Sequence, residues 1–94
     1  MNDISLDYDL IAKRIRQYRH SLSWTQEELA THVGVSTTFI GQLERGEKKP
    51  SLETVVRLCK TLGVSVDALV LGSTLGKTEA LYDELVALVE RYAR

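Results

Sequence analysis

A chain of 94 residues, 44% apolar and 27% charged, has the balance of one small globular domain with room for one added element, and little for a separate ligand-sensing domain. A single cysteine, Cys59, excludes an intrachain disulfide and fits a reducing cytoplasm, and no apolar run approaches the roughly 18 residues of a membrane span. Net charge is −1 and the isoelectric point about 6.1, against the value above about 9 usual for a generic nucleic-acid binder.

The charge is unevenly spread. Residues 1–9 carry −3, with no Lys or Arg, which is unlike a signal peptide. Residues 10–20 carry +4 from Lys13, Arg14, Arg16 and Arg19. Any contact with DNA would therefore use local basic spots on an acidic body.

The pattern predicts helices throughout. The first runs from about Asp9 to Ser21, with Ile11, Ile15, Tyr18 and Leu22 on one face and its basic residues on a solvated one. Thr25-Gln26-Glu27-Glu28 fits a capping box opening a second helix, whose inner face is Leu29, Ala30 and Val33 and whose stop is Gly34. Ser36 caps a third helix with Phe39, Ile40 and Leu43 inward, ended by Gly46. Glu47-Lys48-Lys49-Pro50 is a polar loop. Ser51 caps a fourth helix with Leu52, Val55, Val56, Cys59 and Leu62 apolar, and a short fifth helix follows Ser65 with Val66, Leu69 and Val70 inward. Trp24 and Phe39 read as core aromatics, with Trp24 wedged near the first helix. Cys59 reads as a plain buried thiol.

Ser73 to Gly76 is the one linker-like stretch, and Lys77 to Arg94 reads as an amphipathic sixth helix. Leu81, Leu85, Leu88 and Tyr92 repeat at spacings of four, three and four, with Tyr82, Val86 and Val89 beside them. So wide a stripe must be buried, either back on the body or against a second copy. The second option is favoured. The resulting division is a tail over residues 1–8, a domain over 9–72, and a linker with a dimerisation helix over 73–94.

Only Gly34 and Val35 separate the second helix from the Ser36 cap. A connection that short makes the helices cross steeply and leaves the leading end of the later one exposed, a shape that fits the major groove. A glutamine there can pair with adenine, and a threonine methyl can pack on thymine. The same polar residues could instead be merely solvated.

The tracts Thr25-Gln26-Glu27-Glu28-Leu29-Ala30, Gly34-Val35-Ser36, Leu43-Glu44-Arg45-Gly46, Lys49-Pro50-Ser51-Leu52 and Leu62 to Leu69 resemble the phage-repressor-type helix-turn-helix family, also called XRE or Cro-like. The resemblance covers about Asp9 to Gly72. It implies an all-α, five-helix, repressor-like domain that binds palindromic operator DNA as a homodimer. It places Thr37, Thr38, Gly41 and Gln42 on the base-reading face. It places Gln26 against a phosphate and Arg45, Lys48 and Lys49 along the backbone, where the Ser36 helix start can also attract a phosphate. It makes Arg19 and Glu44 an ion pair between the first and third helices. Two readers are short threonines, which implies weak, A·T-leaning readout. Gly41 reads as a device for close approach to the groove, so Gly41→Glu is expected to abolish specific binding with little loss of fold.

The function expected is a DNA-binding transcription regulator, a repressor acting by promoter occlusion. The alternative is an antitoxin or adaptor using the fold for a regulatory protein partner. No nucleophile with a base, carboxylate pair or phosphate-cradling glycine loop suggests an enzyme. His20 and His32 lack ligand-spaced partners, so neither a metal nor a cofactor is expected.

Overall fold

The computed structural model describes residues 6–72, 87 and 89–91. Within residues 6–72, five helices follow in order: α1 (Tyr8–Ser21), α2 (Gln26–Val33), α3 (Thr37–Glu44), α4 (Leu52–Leu62) and α5 (Val66–Val70). Residues 87 and 89–91 are helical too, and no described residue lies in a strand. The linker and the stripe of Leu81, Leu85, Leu88 and Tyr92 lie outside the described residues. No described helix is long and apolar enough to cross a membrane.

Each helix opens on a side-chain oxygen that accepts one of the amides a helix start leaves without an internal partner. Asp7 accepts from Leu10, Ser36 from Phe39, Ser51 from Thr54 and Ser65 from Ala68, at 3.0–3.2 Å. Thr25 makes the reciprocal version. Its hydroxyl accepts from the Glu28 amide at 3.1 Å, and the Glu28 carboxylate accepts from the Thr25 amide at 3.2 Å. Because Asp7 is the cap, α1 begins at Tyr8, one residue ahead of expectation, and takes that residue from the tail.

The core is one cluster. Ile11, Ile15, Leu29, Ile40, Leu43, Leu58 and Leu69 are its fully buried large side chains, and each stabilises the fold by about 1.5–3 kcal/mol through loss of contact with water. α1 packs on α3, α4 and α5, while α2 packs on α3 and α4.

Four expected core residues lie outside. Leu22 is exposed because α1 ends at Ser21, and the chain has left the helical spiral before reaching it. The inward position one turn after Ile15 belongs to Arg19 instead, with Ala12 beside Ile11. On α4 the buried stripe is Val55, Leu58, Cys59 and Leu62. At 100° per residue, Val56 sits about 110° from the centre of that stripe and Leu52 about 70°. Both are exposed, Leu52 at 77%. Val66, the first residue of α5, is exposed too.

Arg14 departs from the solvated basic face of α1. Its Nη1 donates to the carbonyls of Leu69 at 3.2 Å and Val70 at 3.0 Å, closing the C-terminal end of α5 with a cation, where the helix dipole favours one. The guanidinium lies over Gly72, which is buried at φ +79°. A Cβ there would meet it at 2.5 Å, so the clasp needs glycine both for its conformation and for its space.

Candidate nucleic-acid interface

The turn between α2 and α3 is built by its glycine. Gly34 takes φ +86°, a left-handed conformation that costs it little, and the amides of Gly34 and Val35 both donate to the Ala30 carbonyl, at 2.8 and 3.0 Å. The chain reverses within two residues and starts α3 at the Ser36 cap. One side of α3 is then fixed to the body by Ile40 and Leu43, both fully buried. The other side presents Thr37 and Thr38 to solvent at the helix start, with Gln42 half-buried one turn on.

A buried polar network holds α3 in place. Arg19 meets Glu44 through both arms of its guanidinium, Nε to Oε2 at 2.7 Å and Nη2 to Oε1 at 2.8 Å. Its remaining arm donates to the Trp24 carbonyl at 2.7 Å, just before α2 begins. Gln26 Nε2 completes the set on Glu44 Oε1 at 3.2 Å. The side chains of the ion pair are 8% and 2% exposed, so it is desolvated and also fully satisfied. Hydrogen bonding to Glu44 raises the Arg19 pKa, outweighing the opposing effect of burial.

Gln26 therefore serves as a brace, clamped between α2 and the Glu44 carboxylate. Its Oε1 lies on the same side as Gly41. Gly41 itself does not open onto solvent: it is buried, with the Arg45 guanidinium and the Gln26 amide lying against it. A Cβ there would stand 2.9 Å from Arg45 Nη1. The missing side chain at Gly41 makes a seat for Arg45, and that arginine is the group presented outward.

The loop after α3 carries the other cations. Arg45 is the C-cap of α3, and its Nε donates to Glu47 Oε2 at 2.7 Å. Lys48 is exposed. The Lys49 ammonium sits 4.8 Å above the ring of Tyr8, a cation–π contact that ties the loop to the start of α1. Asp9 approaches the same loop, with its carboxylate against Gly46.

Two participants were not singled out from the sequence. Glu47 had a signal, since it stands two residues after Arg45. Tyr8 had none, because its partner lies at the far side of two intervening helices in the chain. Trp24 packs against the core and stacks on His32 with ring centres 4.3 Å apart, which gives His32 a structural role.

The helix-turn-helix family pattern matches residues 15–69. The chain is similar to the control protein C.SmaI of Serratia marcescens, 38% identical over 61 residues that cover 65% of this chain and 73% of that protein. It is similar to repressor protein C2 of Salmonella phage P22, 38% identical over 82% of this chain but only 35% of the repressor. The crystal structure of the P22 c2 repressor with a synthetic operator superposes with a TM-score of 0.64 at 41% identity, covering 67% of this chain and 96% of that one. Pattern, relatives and fold agree with the short turn and the pinned, outward-facing α3: the chain belongs to the XRE-type helix-turn-helix family of transcription regulators.

Proposed function

We propose that this chain is a sequence-specific repressor that places α3 in the major groove and binds a two-fold symmetric operator as a homodimer. The observation that carries this reading is the exposed start of α3 on a helix that the core and the Arg19–Glu44–Gln26 network hold rigid. Base contact falls to Thr37, Thr38 and Gln42. Phosphate contact falls to the Ser36 helix start, Gln26, Arg45, Lys48 and Lys49. Gly41 contributes through the arginine it seats. That the P22 c2 repressor was solved with operator DNA supports the same use of this fold.

The dimer is proposed on geometry and apolar surface. Paired half-sites lie about 34 Å apart along the duplex, more than one small domain reads. Leu81, Leu85, Leu88 and Tyr92 form the stripe proposed to join two copies.

Selection of bound duplexes from a random library tests the reading. The expected product is an inverted repeat with half-site centres about 10 base pairs apart. Enrichment of a single asymmetric site would overturn the dimeric part, and no enrichment at all would overturn the reading itself. Truncation after Ser73 is expected to leave a folded monomer with weak operator binding. A truncated chain that still sediments as a dimer would place the interface on the five-helix body.

A further inference from the structure

We propose that Glu47 limits the DNA affinity of this surface by holding Arg45 in the way a phosphate would. This rests on α3 facing DNA. The Glu47 amide donates to the Gln42 carbonyl at 2.9 Å, and the Arg45 amide donates to Gly41 at 3.0 Å, so both backbones are tied to the last turn of α3. Their side chains meet at 2.7 Å, with the guanidinium laid over Gly41 beside Gln26. Arg45 is thus poised on the reading side of α3 and already carries an anion.

Carboxylate and phosphate are interchangeable partners for the guanidinium fork. The ion pair is open to water, with side chains 58% and 54% exposed, and such pairs are weak enough to exchange partners readily. On mixed-sequence DNA Glu47 stays on Arg45 and withholds that phosphate contact, whereas on an operator it must be displaced. In both cases its carboxylate stands close to the duplex. Both effects weaken all duplex binding, and they weigh most on mixed-sequence DNA, where backbone contacts supply nearly all the affinity. Glu47 thereby favours discrimination over affinity on a surface whose base readers are small.

The test measures binding of the full chain to a mixed-sequence duplex across a salt series. Glu47→Gln is expected to bind about threefold to tenfold more tightly at low salt. Its plot of log affinity against log salt should steepen by about 0.9, the value for one added phosphate contact. In an Arg45→Gln background, Glu47→Gln should leave the slope unchanged. Asp9→Asn removes the same charge beside the same loop without freeing an arginine, and it too should leave the slope unchanged. Melting temperatures of all variants check that each folds.

A wild-type slope in Glu47→Gln overturns the proposal, as does a steepening that survives Arg45→Gln. Absence of duplex binding by wild type and Glu47→Gln alike also overturns it. Failure of the selection experiment alone bears on the operator reading, because the mixed-sequence arm is read independently.

Discussion

Arg19 occupies an inward helical position that periodicity would assign to an apolar side chain. It is tolerated there because Glu44 and the Trp24 carbonyl satisfy every arm of the guanidinium that points inward. Removing one partner leaves the other charge buried and alone. Arg19→Met or Glu44→Gln is therefore expected to cost about 3–5 kcal/mol in urea unfolding, with Arg19→Met/Glu44→Leu recovering much of the loss. Since the Arg19 pKa is raised, the stabilisation from its charge is fully present at every pH below the ordinary arginine range and is lost only above it. Burial raises the Cys59 thiol from its ordinary value of 9.0, so its contribution is present below that pH and is lost as pH rises beyond it. Cys59→Val should flatten part of the alkaline fall in stability. A thiol reagent at pH 8 should label wild type slowly in buffer and rapidly in denaturant, and equal rates would show that the thiol is not shielded. At Gly41 the obstacle to a Cβ is the flexible tip of Arg45, which can move. Gly41→Ala is thus expected to be neutral or up to about 1 kcal/mol more stable, the difference in helix propensity, by thermal melt.

At the scale of the element, α5 has five residues, too few to hold a helix by itself. It depends on the Ser65 cap, on Leu69 in the core and on Arg14 across its end. Arg14→Met should cost about 1.5–3 kcal/mol, the range for hydrogen bonds from a charged donor. Faster amide exchange confined to α5 would locate the damage there, whereas uniform loosening of all helices would contradict a local clasp. α4 shows the complementary behaviour. Its stripe at Val55, Leu58, Cys59 and Leu62 reaches the core, and its remaining apolar residues, Leu52 and Val56, stay wet. Leu58→Ala should cost about 2–5 kcal/mol, whereas Leu52→Ala should be nearly silent for the fold.

For the whole molecule, an acidic chain that binds DNA must do so through few phosphate contacts, and its affinity should fall less steeply with salt than that of a basic protein. Lys48→Gln is expected to weaken operator and mixed-sequence duplexes alike and to lower the salt slope by about 0.9. Thr38→Ala should instead alter the selected sequence at one position of each half-site and leave the slope in place. A Thr38→Ala protein that selects the wild-type sequence would remove that residue from the reading face.

Local sequence determined a good deal. The starts of α2 to α5 were legible because a Ser or Thr stands where each begins, and the α2–α3 turn because a glycine stands where the chain must go left-handed. The Asp7 cap of α1 went unread, and its start was placed one residue late. Capping and turn conformation act within four residues, so neighbouring letters suffice. Tertiary structure alone decided what distance in the chain had hidden: that Tyr8 meets Lys49, that Arg14 closes α5, and that Leu22, Leu52, Val56 and Val66 stay wet. Periodicity shows which residues share a helix face. It does not show how far the neighbouring helix reaches along that face, nor when a buried charge will find its partner there.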